Sequence, residues 1–340
     1  LDSCITTSFI KEVAPDNLQT YSIGFTDKEY DESIYQDMAN EYLKTKHNRI
    51  ICSNTDIAEK FADLIWHSET VLLRSAPAPM YLLSGLVKSQ NIKVVVTGEG
   101  ADELLGGYNI FKEAIIRQFW SREPSSELRP LLLKKLYPYL PQIKSANSAA
   151  LKLFFGYKLE ENNSPVYSHL LRWNNTSHIK NYFSSETTKE ISGYNPVYEL
   201  IDNIGHKFDD IELLSRAQWL EMKLFMSGYL LSSQGDRMSM ANSVEGRYPF
   251  LDYRIVDFCM KLPPDYKLHG LKEKYLLKKM MAGKLPPQIL ERPKQAYRAP
   301  IPACFTSDSA PGFISEMLSE KQLISVGIFN PDKVLYLITR

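Results

Sequence analysis

The sequence is short of cysteine, has no long apolar run and carries no net charge. Its 340 residues hold four cysteines, Cys4, Cys52, Cys259 and Cys304, widely separated and without a CxxC pair. No His/Cys cluster has zinc-like spacing, so neither a zinc site nor a disulfide framework is expected. Free thiols of this kind point to a reducing, cytosolic compartment. No apolar stretch approaches the roughly 18 residues of a membrane span, and no signal-peptide pattern follows Leu1. Forty basic residues balance forty acidic ones, so no global field draws the chain to nucleic acid or to an anionic membrane. Internal repeats and low-complexity tracts are absent as well. The chain therefore reads as a cytosolic globular protein, and its start at a leucine reads as cut within a longer polypeptide.

What is present is organised around Lys93 to Tyr108, KVVVTGEGADELLGGY. The β-branched run Val94-Val95-Val96-Thr97 predicts a buried strand, and Gly98-Glu99-Gly100 lets the backbone turn tightly at its end. Glu99, Asp102 and Glu103 then place three carboxylates within five residues. The carboxyl end of a parallel strand is where open α/β sheets bind ligands, although acidic residues also favour any helix N-terminus. Upstream, a helix from Cys4 to Val13 has Asp2 and Ser3 in its first turn. Strands follow at Thr20 to Phe25 and Arg49 to Ser53. Helices are expected from Asp31 to Leu43, from Asn54 or Thr55 to His67, and from Met80 to Ser89. This alternation predicts a doubly wound parallel α/β sheet, with the strand before Leu1 missing.

From Phe111 onward strand signals stop. Helices are expected at Phe111 to Trp120, Leu128 to Tyr137, Ala149 to Phe155 and Tyr167 to Trp173. Another spans Asp209 to Met226, interrupted by Ser227-Gly228-Tyr229. The division is thus an α/β part over residues 1–110 and a mainly helical part over 111–340, within one unit. The stretch from Tyr229 to Asp252 interleaves Asp236, Arg237, Glu245, Arg247 and Asp252 with apolar residues, unlike the i,i+4 charge pairs of a solvated helix. It is read as a semi-buried polar network in a cleft, or a structural ion-pair set. The lysine-rich run Leu271 to Lys279 predicts an exposed helix. Arg292 to Pro300, a basic loop bounded by prolines, is read as a substrate-covering segment or a connector, and Pro311 to Arg340 as two or three short helices.

Three stretches together resemble one family. Leu1-Asp2-Ser3 resembles the end of the SGGLDS pyrophosphate loop of ATP pyrophosphatases. GEGADELLGGY resembles that family's SGEGADELFGGY, and GDRMSMANSVEGRYPFLD resembles the matching segment of glutamine-hydrolysing asparagine synthetases. Asp31-Glu32 with His47, Tyr81 to Ser84, Lys274 before Leu276-Leu277-Lys278, and RPKQAYRAPI add to the match, which runs from residue 1 to about residue 305.

The resemblance implies an adenine-nucleotide α-hydrolase-like (HUP-type) synthetase domain that uses ATP and Mg²⁺. The implied ligase adenylates a carboxylate, by default L-aspartate, releases pyrophosphate, and lets glutamine-derived ammonia form the amide for asparagine biosynthesis. Asp2 and Asp102 would hold Mg²⁺, and Ser3 the pyrophosphate. Ile23, Gly98 and Gly100 would border the nucleotide. Lys274 would stabilise charge on the α-phosphate, and Glu99 would serve the incoming ammonia. Tyr108, Arg237, Glu245, Arg247 and Asp252 would shape the substrate side. A glutaminase domain is implied on this or another chain, and a homodimer is left open.

Two departures qualify the match: the SGG of the loop is absent, and Ser68-Glu69-Thr70 replaces the family's acidic-proline segment. An amidotransferase or β-lactam synthetase-like enzyme for another carboxylate, and an inactive fragment, remain the alternatives.

Overall fold

The computed structural model describes residues 1–306 and 310–339; the last residue of the expected tail, Arg340, lies outside them. The amino-terminal part alternates helix and strand: α1 (Asp2–Val13), β1 (Gln19–Phe25), α2 (Ser33–Leu43), β2 (Lys46–Cys52), α3 (Asn54–Ser68), α4 (Pro77–Ser89) and β3 (Val94–Val96). Strands β1 and β2 run parallel with Ile23 opposite Ile50 and Phe25 opposite Cys52. Ile23, Phe25, Ile57, Leu64, Ala78 and Met238 share a buried core, so α3 and α4 cover this pair on its apolar side. Helix α3 begins one residue earlier than expected from Asn54 or Thr55 as cap. Ser53 and Asp56 form a reciprocal capping box instead, satisfying two end groups that a helix otherwise leaves open.

The structure is mixed α/β with small parallel sheets, and among the described residues these do not join into one continuous sheet. Strand β3 pairs in parallel with β4 (Glu245–Arg247), a strand in the half where no strand signal was seen, with Val94 opposite Glu245 and Val96 opposite Arg247. The two pairs stay separate: among the described residues no strand joins β1 to β3. Val94 and Val96 are accordingly 45% and 43% exposed, against the expected buried strand, because β3 has a neighbour on one edge only. A short antiparallel ribbon, β5 (Leu268–His269) with β6 (Lys272–Glu273), replaces the front of the helix expected over Leu271 to Lys279.

After β3 come α5 (Ala101–Leu104) and α6 (Asn109–Ser121), then the helical half. Its long helix is not interrupted at Ser227-Gly228-Tyr229. Residues Leu213–Leu220 are α-helical, and the chain continues as a wide π-type turn series over Glu221–Asp236 into Arg237–Met240. Such geometry is rare, and where it occurs it is usually a single-turn bulge rather than a run of this length. The four cysteines are free. No helix among the described residues is long and apolar enough to cross a membrane.

Candidate active site

One core places three polar chain ends against each other. Ile5 of α1, Ala101 and Leu104 of α5, and Leu277 of the helix Tyr275–Met280 are buried in a common cluster. Each large apolar side chain so buried contributes roughly 1.5–3 kcal/mol, enough to hold polar groups that would otherwise prefer water. Lys274, just before that last helix, lies 2.5 Å from Asp2 Oδ2 and 2.6 Å from Asp102 Oδ1. Lys294 Nζ donates to Asp102 Oδ2 at 2.7 Å. The result is a chain of alternating charges, Asp2, Lys274, Asp102, Lys294, drawn from four separate segments.

Backbone geometry serves the same end. Lys274 is only 3% exposed and sits in the left-handed region at φ 50°, ψ 38°, which is uncommon for a residue with a side chain. Its N–H donates to the carbonyl of Leu105, the residue that caps α5, at 3.2 Å, so the end of α5 holds this strained residue. Gly107 makes room for the pair: a Cβ there would lie 1.9 Å from Asp102 Oδ1 and 2.3 Å from Lys274 Cε. At Gly98 a Cβ would meet Asp2 Cβ at 2.7 Å and Ser3 N at 2.8 Å. The room that Gly98 leaves is thus taken by the start of α1. Gly100, at φ 91°, packs under Leu251 and does not line the cleft.

The carboxylates differ sharply in their titration. Burial would raise the Asp102 carboxyl, but Lys274 and Lys294 hold it well below the usual carboxylate range. Burial pushes Glu99 up, opposed by Lys294 and aided by the negative charge of Asp102. Glu103, 1% exposed, is pushed up to about 7 by burial and by Asp102, although the Tyr108 hydroxyl donates to its Oε1 at 2.7 Å. A carboxyl raised in the folded state binds its proton more tightly there than in the unfolded chain. Its contribution is therefore full below about pH 4.5 and is lost as pH rises through about 7. Glu103→Gln, which resembles the protonated acid, should flatten the stability profile between those values and raise stability at pH 8 by up to about 3 kcal/mol. Denaturant midpoints at pH 5 and pH 8 measure this; parallel shifts in wild type and variant would exclude it.

Asp2, Glu99, Asp102, Lys274 and Lys294 line a cleft of about 850 Å³, from which Glu103 is set back. Of the residues expected at the site, Asp2, Ser3, Ile23, Gly98, Glu99, Asp102, Tyr108 and Lys274 all border it. The open edges of β1 and β3 form two of its walls, through Thr20, Tyr21, Ile23 and Val94 to Thr97.

Four expected substrate-side residues are not brought there. Arg237 donates from Nη1 to the Ser68 carbonyl at the end of α3. Glu245 and Arg247 pair with each other at 2.9 Å on the exposed side of β4, because alternate strand residues face opposite ways and it is Gly246 that borders the cleft. Asp252 caps the helix Tyr253–Lys261 and pairs with Arg254 at 2.9 Å. Three residues that were not singled out do line the cleft: Lys294, Tyr248 and Arg74. Arg74 lies over the Phe225 ring at 5.6 Å. The basic proline-bounded loop was the one signal that pointed to Lys294.

Among the described residues no group of three or more His, Cys, Asp or Glu is arranged to hold a metal. A different arrangement suits Mg²⁺, which is usually bound through one or two carboxylates together with substrate phosphates. Asp2 and Asp102 fit that pattern: both reach the same ammonium, and Asp2 Oδ1 is buried without a hydrogen-bond partner.

Comparison with known proteins adds to this geometry. The family model described as asparagine synthase matches residues 1–340. Asparagine synthetase [glutamine-hydrolyzing] 1 of Bacillus subtilis is 28% identical over 304 residues, which cover 88% of this chain and 45% of that protein. Amidase chyE of Penicillium rubens is 28% identical over 305 residues, 84% of this chain and 44% of that protein. A putative asparagine synthetase [glutamine-hydrolyzing] of Mycobacterium tuberculosis is 25% identical over 291 residues, 84% of this chain and 41% of that protein. The chain thus matches less than half the length of each of these relatives.

Proposed function

Because the chain belongs to the asparagine synthase family, we propose that its cleft forms an amide by way of an acyl-adenylate. The observation that carries this reading is the convergence of Asp2 and Asp102 on Lys274 at the mouth of β3. A carboxylate is a poor electrophile. Its oxygen attacks the α-phosphorus of ATP, the bond to the β-phosphate oxygen breaks, and pyrophosphate leaves. Ammonia then attacks the acyl carbon, loses a proton, and AMP departs with the former carboxylate oxygen.

Lys274 stabilises charge developing on the α-phosphate from a buried, pre-oriented position, where electrostatic stabilisation is strongest. Asp2 and Asp102 would hold Mg²⁺, which would supply neutralisation of phosphate charge. Glu99, whose proton affinity is raised by burial, suits a base or orienter for ammonia, since general bases work best near the operating pH. Ser3, with its N–H in the first turn of α1, faces the leaving pyrophosphate, an anion suited to a helix N-terminus. Ile23 and Gly98 border the adenine side. The acceptor lies toward Tyr108 and Arg74; Arg74 makes no ion pair among the described residues and offers a guanidinium to a carboxylate.

The sheet reading follows from the same cleft. A parallel strand between the facing edges of β1 and β3 would unite the two pairs into a doubly wound, HUP-type sheet. Glutamine as ammonia source, a glutaminase domain on this or another chain, and a cytoplasmic place in asparagine biosynthesis belong to the same proposal.

The test is release of pyrophosphate and AMP from ATP with a panel of carboxylates, aspartate first. Asp102→Asn should lower Mg²⁺-dependent turnover by about 10²-fold or more, the scale of a lost electrostatic partner in a buried site. Unaltered turnover in that variant would sink the metal assignment. A carboxylate other than aspartate is the second reading. It is favoured by Ser68-Glu69-Thr70 and by the similarity to amidase chyE, and the same panel decides it.

A further inference from the structure

Lys294 belongs to a strap, residues 291–300, that forms neither helix nor strand yet is tied to both sides of the cleft. On one side Arg292 pairs with Glu32 at 2.5 Å and Arg298 with Glu29 at 3.4 Å. On the other, the Lys294 N–H donates to Glu273 Oε1 at 3.2 Å. Glu273 is itself held by Lys112 at 2.6 Å and Lys278 at 3.0 Å, so the backbone at Lys294 is anchored independently of its side chain. The ammonium lies 2.7 Å from Asp102 Oδ2 and over the Tyr108 ring at 5.7 Å.

The two ammonium groups on Asp102 are not equivalent. The Lys274 side chain is 3% exposed and bridges two aspartates, whereas that of Lys294 is 24% exposed and has one. A lysine is a compact charge on a flexible four-carbon stem, so Lys294 can swing from a fixed backbone while Lys274 cannot. A divalent cation and an ammonium compete for one carboxylate oxygen, because at contact distance like charges repel even under strong screening.

We propose that Lys294 competes with the divalent cation for Asp102 and, once displaced, becomes a second phosphate-binding cation of the cleft beside Lys274. The inference rests on the adenylation reading above. It predicts opposite effects on two ligands from a single substitution. Lys294→Met removes the competitor, so Mn²⁺ alone should bind at least about tenfold more tightly. The same variant lacks a phosphate partner, so inorganic pyrophosphate should bind about tenfold more weakly.

Mn²⁺ affinity by electron paramagnetic resonance and pyrophosphate affinity by calorimetry read the two effects, with thermal melting as the check on folding. A strap that merely braces the cleft would weaken both ligands together or leave both unchanged, and either result overturns the proposal. Lys294→Arg, which keeps the charge, should stay near wild type for both. Asp102→Asn separates this inference from the reading beneath it. If Mn²⁺ binding is indifferent to that change, the metal assignment itself fails, whatever Lys294 does.

Discussion

Lys274→Met should strongly impair adenylation and also cost the protein stability, the largest combined effect expected of any single change. The ammonium bridges Asp2 and Asp102 with 3% of its side chain exposed. Removing one member of a buried ion pair leaves the other uncompensated, at about 3–5 kcal/mol. Lys294 still neutralises Asp102, so the loss should fall at the lower end, about 3 kcal/mol, and should concentrate on Asp2. Pyrophosphate release should drop by about 10²–10³-fold, the range for losing one pre-oriented electrostatic partner. Lys274→Arg should not rescue it, because Gly107 and Asp102 pack against the Lys274 stem and leave no width for a guanidinium. Chemical denaturation and a pyrophosphate-release assay measure the two parts separately. A variant with normal stability and normal release would remove Lys274 from the site altogether.

Gly107→Ala is the second. One methyl group would stand 1.9 Å from Asp102 Oδ1 and 2.3 Å from Lys274 Cε, so both charges must move apart. Overpacking of this kind costs about 1–3 kcal/mol. The functional loss should exceed the stability loss, because reacting groups misplaced by about 1 Å lose on the order of 10²-fold in rate. A cleaner control is Gly283→Ala, at φ 78° with nothing within 4 Å of its added Cβ. It carries backbone strain without steric displacement, and its release rate should remain that of wild type. If Gly107→Ala keeps full activity, the Asp102–Lys274 contact is not part of the working site.

Some of the cleft is legible residue by residue. Gly98, Glu99 and Asp102 could be placed at a strand end because β-branched residues, a glycine turn and acidic residues at a helix start are local signals. Arg237, Glu245, Arg247 and Asp252 looked equally charged and equally interleaved with apolar residues, yet they turn away. Their direction depends on which face β4 turns to β3 and on a helix that Asp252 caps, and neither shows in spacing alone. Lys294 carried no periodicity at all, being on an irregular strap. The exposure of β3 escaped for the same reason: a run of valines records a preference for burial, not the number of neighbouring strands.

The sequence by itself determined the alternating helix–strand order of the first hundred residues and the motifs that identify the family. Both rest on contacts between near neighbours in the chain. Only the tertiary structure decided that Asp2, Asp102, Lys274 and Lys294 form one charge relay. Those four residues lie up to 292 positions apart; the shared core of Ile5, Ala101, Leu104 and Leu277 joins the first three, and the strap anchored on Glu273 brings Lys294 to them. Burial of apolar surface is non-directional and acts between any segments that can pack, so it can bring distant charges together without leaving a local trace of where they will meet.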